Sequence, residues 1–339
     1  MKHHMIRLCG LAFLISLAVQ PATAHADFFT GEMYYSIWRD TPNNVRKVAY
    51  TYDEGKAFTF GTKTTIARVN GADGLIFAPN GDLIVGGQGD RVHLINPATH
   101  AVATVTAGGT TSFHVTLDPS GTHVWSGGIA DRGGVLGKIA EIPLSPFSNG
   151  VTHSVRGDDL LITTLAFDRN GNAFYTSAGV GGFGSFGTAT IDASGNFRTT
   201  RLMSNVPAAH GMTYDGYTDS LLLYGSSHIT QIDPTTHAVL GDLNLSGRGL
   251  ELDQGTTDAF GHVFVASNEG HLVFVDMSES RRIDTAGNFL RIPFLEANLD
   301  DVAPLSGLGS VPEPSSFVLL LTSVFPIGAT LLWRRRSKR

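Results

Sequence analysis

Six polar side chains, far apart along the chain, are of types that could form a binding or catalytic site. They are Asp73, His114, His210, Arg248, Asp300 and Asp301. Histidine exchanges a proton near neutral pH and ligates metals, while aspartate serves as a metal ligand or a general base. An arginine beside them would stabilise an oxyanion. These residues act together only if the intervening elements bring them to one place.

One sequence pattern recurs between residues 27 and 310. It consists of a short apolar run, a turn of the Asp-x-x-Gly type, a second apolar run, a Gly/Ser turn and a third run. The turn positions are Ala78, Asp118, Asp168, Asp215 and Asp253, in steps of 40, 50, 47 and 38 residues. Such steps match the length of a four-stranded propeller blade. The pattern therefore predicts a series of small four-stranded sheets.

The outer turns and the first repeat suggest how these sheets are joined. The turns at 95–102 and 232–239 have nearly the same sequence and lie 137 residues apart, the length of three blades. The first blade, from Glu32 to about Val69, lacks an innermost strand, whereas a sixth copy of that strand lies at 301–305. We therefore predict an all-β, six-bladed β-propeller over 27–310, closed by pairing of its C-terminal strand with the first blade, which removes open sheet edges. The competing fold is a β-sandwich.

The start of each inner strand should lie at one mouth of the central channel, because inner strands line the axis of a propeller. Aligning the copies places there Asp73, Phe113, His114, Thr163, Thr164, His210, Arg248, Asp300 and Asp301. This set could hold a divalent cation or supply a general base. The alternative is that these residues are solvated or paired with one another and plug a structural channel.

Two long glycine-rich turns are expected on the same face, at 127–137 and 177–187. Long loops on a rigid scaffold often carry binding residues, and Phe183 and Phe186 could stack on a sugar or a peptide. The alternative is flexible glycine loops whose aromatic side chains are tucked onto the blade.

The repeats resemble those of NHL-type, streptogramin-lyase-like and gluconolactonase-like propellers over most of 27–310, at the level of pattern. Gluconolactonase-like propellers hold a divalent metal with Glu, Asn and Asp at the channel mouth. The histidines and aspartates of this chain do not match that set, so the resemblance does not carry over a lactonase mechanism.

The N-terminal segment has the pattern of a signal peptide. A positively charged start precedes an apolar run from Leu8 to Val19 and small residues up to Ala26. We predict a signal peptide over 1–26, cleaved after Ala26 by signal peptidase. The single cysteine, Cys9, would leave with it, so the exported protein would have neither a disulfide nor a thiol nucleophile.

The C-terminal segment combines three elements. A short motif comprises Val311, Pro312, Glu313 and Pro314. An uncharged stretch over 315–333, followed by a basic cluster, predicts a transmembrane helix with its charged end in the cytoplasm. The region 311–339 resembles the PEP-CTERM sorting signal, which implies cleavage by an exosortase-type membrane transpeptidase in a Gram-negative bacterium that makes exopolysaccharide. An ordinary tail anchor is the alternative.

Charge excludes one class of partner. The two ends contain seven of the 24 basic residues and one of the 30 acidic residues, which leaves 17 and 29 and a formal charge near −12 over 27–310. A field of that sign repels phosphate backbones, which argues against nucleic-acid binding.

The preferred hypothesis is an exported propeller without enzymatic activity, at the cell surface or in the extracellular matrix, that binds an exopolysaccharide or a surface protein. The alternative is a metal-dependent lactonase or streptogramin-lyase-like enzyme that uses His114, His210 and the nearby aspartates at the channel mouth. A purely structural matrix protein is the third reading. No cofactor follows from the sequence beyond a divalent cation at the channel mouth.

Overall fold

The computed structural model describes residues 28–38, 44–53, 57–127, 136–178, 184–207, 209–225, 227–284 and 289–305. These residues form 25 strands joined by turns, without an α-helix among them, so the predicted all-β class is confirmed. Within this part of the chain no helix is long and apolar enough to cross a membrane. The predicted signal peptide, the sorting motif and the predicted helix 315–333 lie outside the described residues.

The strands form antiparallel groups of four in chain order. The first three groups comprise β5 (Ala72–Phe77), β6 (Leu83–Gly87), β7 (Arg91–Ile95) and β8 (Val102–Thr106); β9 (Val115–Leu117), β10 (His123–Ser126), β11 (Lys138–Pro143) and β12 (Val151–Gly157); and β13 (Thr164–Phe167), β14 (Ala173–Ala178), β15 (Gly184–Ile191) and β16 (Phe197–Val206). Two further groups comprise β17 (Gly211–Asp215), β18 (Ser220–Gly225), β19 (His228–Ile232) and β20 (Val239–Asn244); and β21 (Leu252–Thr257), β22 (His262–Ser267), β23 (Leu272–Asp276) and β24 (Phe289–Arg291). The predicted series of four-stranded sheets is therefore observed.

The remaining group joins the two ends of the described chain. It contains β1 (Phe28–Ile37), β2 (Val45–Asp53), β3 (Ala57–Phe60) and β25 (Leu299–Pro304), with β4 (Thr64–Ala67) also paired to β2. β25 runs antiparallel to β1, with Ala303 opposite Tyr34 and Val302 opposite Tyr35. The predicted pairing of the C-terminal segment with the first sheet is therefore observed.

The first strands of the groups contact one another in a closed circle. β5, β9, β13, β17 and β21 each contact the next, and β25 contacts both β21 and β5. Second strands such as β6, β18 and β22 are buried along their whole length, because each sheet packs against a neighbour on both faces. Their nearly continuous apolar sequences follow from that burial.

Aspartate and glycine fix the turns between first and second strands. Asp118 Oδ1 accepts hydrogen bonds from the backbone N–H groups of Thr122 and His123, each at 2.8 Å. In the last of these turns Asp258 Oδ1 accepts from Phe260 and His262 at 2.8 and 3.1 Å. The fifth turn therefore begins at Asp258, and its predicted position at Asp253 is wrong because Asp253 lies inside β21.

Two neighbouring groups are fused through their outermost strands. β12 pairs in parallel with β16, so β9–β12 and β13–β16 form one eight-stranded sheet. Gly157 allows the approach, because a Cβ there would lie 2.2 Å from the carbonyl oxygen of Thr199. Its φ of 117° is also one that other residues rarely adopt.

Side chains around His262 join the last group to the first. The ring of His262 lies 4.7 Å from that of Phe29, and Tyr52 Oη donates a hydrogen bond to Asp276 Oδ2 at 3.1 Å. His262 Nδ1 lies 2.6 Å from Asp258 Oδ2, and its Nε2 lies 3.9 Å from Asp276 Oδ1. Burial alone would lower the pKa of His262, but the two carboxylates outweigh it and the pKa is raised.

We predict that His262→Gln destabilises the protein by about 1.5–3 kcal/mol, the range for a lost hydrogen bond to a charged group. A histidine whose folded pKa is raised stabilises fully below its unfolded pKa, and this contribution disappears as pH rises through the folded pKa. The loss should therefore be larger near pH 5.5 than near pH 9 in urea unfolding. His100→Asn, in an exposed turn, is the control. An equal loss at both pH values would contradict the assignment.

Candidate functional site

Three of the first strands carry an aspartate at the same position of a β-bulge. Each of β5, β21 and β25 contains a β-bulge, in which the strand has one more residue than the strand paired with it. The bulge lies between Ala72 and Leu75 in β5, between Leu252 and Gly255 in β21, and between Leu299 and Val302 in β25. The residues at equivalent positions inside these bulges are Asp73, Asp253 and Asp300. Because a bulge re-aims side chains, three carboxyl groups that would otherwise follow the strand pleat come together. All three are buried, with 4–7% of each residue exposed.

Two histidines precede the neighbouring first strands. His114 lies immediately before β9, and His210 lies immediately before β17. Their rings are 4.9 Å apart and perpendicular. His210 Nε2 lies 2.8 Å from Asp253 Oδ1, at ion-pair distance but not in the alignment of a hydrogen bond. We refer to Asp73, His114, His210, Asp253 and Asp300 as the His/Asp cluster.

Glycines next to the cluster let the strands approach closely. A Cβ on Gly74 would lie 2.3 Å from the carbonyl oxygen of Phe113, and one on Gly211 would lie 2.1 Å from Gln254 Oε1. Any larger residue would push neighbouring first strands apart at the level of the cluster. The glycines thus set the spacing of the polar groups.

The carboxyl groups of the cluster have opposite pKa shifts, because they share one buried site. Burial, reinforced by the charge of Asp253 and opposed by His210, raises the pKa of Asp73 to about 8. Burial likewise raises the pKa of Asp300 well above its ordinary range, reinforced by Asp73 and Asp253. Asp300 lies within hydrogen-bonding reach of both neighbours. Near neutral pH Asp73 and Asp300 therefore hold protons.

Asp253 and His210 form the close carboxylate–imidazole pair of the cluster. Burial would raise the pKa of Asp253, but the charge of His210 outweighs it and lowers that pKa to about 2. Burial would lower the pKa of His210, but Asp253 outweighs it and the pKa is raised. The site thus places an ionised carboxylate and a histidine of raised pKa beside two neutral acids.

His114 is the least satisfied member of the cluster. It is 3% exposed, and neither Nδ1 nor Nε2 has a hydrogen-bond partner. Burial lowers its pKa to about 3, and the charge of His210 contributes, so the ring is neutral. Buried polar atoms are rarely left unpaired, so the two nitrogens of His114 point to a ligand.

Two predicted site residues have a supporting role instead. Asp301 Oδ2 accepts a hydrogen bond from the Leu75 N–H at 2.6 Å, which ties β25 to β5. Burial raises the pKa of Asp301 well above its ordinary range. Thr164 Oγ1 donates to the carbonyl oxygen of His210 at 2.8 Å and fixes the backbone of that histidine. Both residues position the cluster from its edge.

Two other predicted site residues lie elsewhere. Arg248 is exposed in the turn between β20 and β21, where its N–H donates to the Leu245 carbonyl oxygen at 3.1 Å. Phe186 is fully buried in β15 and stacks on Phe174 with ring centres 6.0 Å apart, so its predicted role in stacking on a ligand is wrong. The alternative, an aromatic side chain tucked onto the blade, holds for Phe186. Phe183 lies outside the described residues.

Sequence reasoning missed Asp253, because the fifth repeat was aligned five residues out of phase. Asp253-Gln254-Gly255 looks like a turn, which placed Arg248 at the channel mouth. The signal that would have corrected it is the later Asp258-Ala259-Phe260-Gly261, which is the actual turn. With that alignment Asp253 takes the position of Asp73 and Asp300.

The other end of the first strands has a different chemistry. A cavity of about 130 Å³ lies there, and its lining includes Leu75, Phe77, Leu117, Phe167 and Tyr214. The aspartates at its edge accept backbone hydrogen bonds in the turns, as in the case of Asp168. The His/Asp cluster therefore lies at the opposite end of the first strands from this cavity.

Solved structures share this architecture at low sequence identity. A catalytically inactive virginiamycin B lyase from Staphylococcus aureus with quinupristin is 12% identical, with a TM-score of 0.51 over 83% of this chain and 97% of that chain. A chain in a nidogen/laminin complex is 11% identical, with a TM-score of 0.58 over 82% of this chain and 98% of that chain. The sequence matches no protein-family model and no curated protein. Together with the circle of first strands, these likenesses show a β-propeller fold.

We predict that His114→Leu stabilises the metal-free protein by about 1–2 kcal/mol, because an apolar side chain removes an unsatisfied buried imidazole. The measurement is urea unfolding in the presence of a chelator. The matched control is His93→Leu, since His93 is also 3% exposed but only its Nε2 lacks a partner, while its Nδ1 hydrogen bonds to Thr104 Oγ1 at 2.9 Å. That variant should gain no stability. Destabilisation by His114→Leu would show that the ring is well satisfied in solution.

Proposed function

We propose that the protein is an exported six-bladed β-propeller whose channel mouth binds a divalent transition-metal ion through His114, His210 and Asp253. The observation that carries the proposal is the buried, neutral ring of His114, whose two nitrogens have no hydrogen-bond partner. A metal ion would satisfy one of them. The six antiparallel groups of four strands, with their first strands in a circle, support the blade number.

The donor set fits an ion such as Zn²⁺. The candidate ligand atoms of His114, His210 and Asp253 lie within 4.8 Å of one another. A tetrahedral ion at about 2.1 Å from each donor holds its ligands roughly 3.4 Å apart, so the farthest pair must close by about an ångström. Two imidazoles and one carboxylate leave one coordination position for an external ligand. Asp73 and Asp300 would hydrogen bond to the external ligand and to the side chains that hold the metal.

We further propose that the bound metal holds an oxygen-bearing group of a carbohydrate or protein ligand at the cell envelope. A metal ion with an open position binds hydroxyl, carboxylate and carbonyl oxygens, which both a carbohydrate and a protein offer. Export rests on the predicted signal peptide, with cleavage after Ala26. Retention rests on the region 311–339, with its resemblance to an exosortase substrate.

A metal-dependent lyase or lactonase is the second candidate, and one observation favours it. The pKa values of neighbouring groups are pushed apart, with Asp253 at about 2 and Asp73 at about 8. A site that holds an ionised carboxylate beside neutral acids has the components of a general base and a general acid. The two functions share the same residues and differ in whether the bound ligand is turned over.

Metal binding can be measured by titration calorimetry of the full chain with Zn²⁺. We expect one ion per chain, with an affinity that rises from about pH 6 to about pH 8 because His210 must lose its proton to bind the metal. His114→Ala and His210→Ala should each weaken binding by about 100-fold or more, since loss of a residue that only supports a ligand already costs roughly 10–100-fold. His100→Asn should not change the affinity. Undiminished one-to-one binding in the double variant His114→Ala/His210→Ala, or no binding by the wild type, would overturn the proposal.

Turnover separates the two candidate functions. The Zn²⁺-loaded protein is incubated with a panel of lactones, and ring opening is followed by acid release. Catalysis that is lost in His210→Ala would establish the enzyme. Stoichiometric metal binding without turnover would support the binding role.

A further inference from the structure

The seam between β12 and β16 places two arginines side by side on the outer surface of the ring. In this parallel pair Val155 lies opposite Phe197, and both are buried. The next positions, Arg156 and Arg198, lie opposite each other and are exposed. Neighbouring strands are about 4.8 Å apart, so the two guanidinium groups can reach the same point. This surface is separate from the channel mouth.

Neither arginine has an ion-pair partner among the described residues. Like charges directly opposite each other on neighbouring strands are destabilising, and the region 27–310 offers 29 acidic residues as partners. The next arginine on β16, Arg201, does have one, since its Nη2 lies 2.5 Å from Asp159 Oδ1. Two arginines without an ion-pair partner therefore lie at opposite positions of this strand pair.

A groove of about 520 Å³ lies along these arginines. It is lined by Ser154, Arg156, Thr190, Ile191, Asp192, Asn196, Phe197 and Arg198. The lining also holds one carboxylate, that of Asp192, which forms no ion pair with either arginine and whose Oδ1 accepts hydrogen bonds from the N–H groups of Ser194 and Asn196 at 2.8 and 2.9 Å. The groove thus combines two arginines without an ion-pair partner with the hydroxyl groups of Ser154 and Thr190.

We propose that this groove binds an acidic polysaccharide by clamping one of its carboxylates between Arg156 and Arg198. The planar guanidinium group matches a carboxylate in bidentate fashion, and two of them converge here on one position. Ser154 and Thr190 offer hydroxyl groups to the sugar hydroxyls beside that carboxylate.

The charge of the protein selects among polyanions. The region 27–310 carries a formal charge near −12, so a densely charged polymer such as nucleic acid is repelled over its whole length. A polysaccharide with a carboxylate only on every second sugar feels less of that repulsion while it gains the same local contact. The groove therefore favours a sparsely charged carboxylated glycan.

The test uses the full chain with immobilised hyaluronate, which has one carboxylate per disaccharide, in a chelator that removes metal bridging. We expect binding that weakens with salt and a loss of about tenfold or more in Arg156→Ala/Arg198→Ala. Arg156→Lys/Arg198→Lys keeps the charge but loses the planar guanidinium groups that bind a carboxylate in bidentate fashion, so this variant should bind at an intermediate level. The matched control is Arg68→Ala/Arg91→Ala, which removes two exposed arginines elsewhere.

The remaining outcomes decide against the proposal. Equal binding by the wild type and Arg156→Ala/Arg198→Ala, or no binding at all, would overturn the site. Binding to single-stranded DNA or dextran sulfate but not to hyaluronate would overturn the ligand class, and binding to neutral dextran would show that the carboxylate is not recognised. Thermal unfolding of each variant confirms that the fold is intact. Zn²⁺ binding at the channel should be unchanged in the arginine variants, which separates this result from the proposed function.

Discussion

Pairing between β1 and β25 is the contact on which the rest of the structure depends. It joins segments more than 250 residues apart, and it places Asp300 inside the ring next to Asp73 and Asp253. Ser36 bridges the junction, since its Oγ donates to the Asp73 carbonyl oxygen at 2.8 Å and accepts from the Asp301 N–H at 3.0 Å. Without this strand the first sheet would lack its inner edge and the cluster would lose a carboxyl group. The pairing of β1 with β25 therefore both closes the fold and completes the site.

The site is built at the expense of local stability. Bulges in three first strands, neutral acids beside a carboxylate–imidazole pair and an imidazole without partners each cost free energy in a folded protein. The surrounding sheets compensate, because second strands buried on both faces hold the first strands in place. A rigid β scaffold can keep polar groups unsatisfied in one geometry until a ligand arrives.

Much of this fold follows from local sequence. Repeated Asp-x-x-Gly turns and apolar runs determine short antiparallel strands, and the inner-strand copy at 301–305 indicates its pairing with the first sheet. His114 and His210 were found because each precedes an apolar run at the same place in its repeat. The sequence assigns Arg248 to the channel-mouth position that Asp253 occupies, because a turn motif occurs twice within ten residues. Only the hydrogen bonds that Asp258 accepts show which copy forms the turn. Phe186 was misplaced because burial of a strand residue depends on the neighbouring sheet.

By itself the sequence determined the all-β class, the period of the strands and the residue types at the start of each inner strand, because turns and strand alternation are encoded within a few residues. The tertiary structure alone decided which polar groups meet, what their pKa values become and that β12 and β16 join into one sheet. These properties depend on distances between residues 40 to 230 positions apart, and electrostatic coupling, burial and parallel pairing arise only once those distances are fixed.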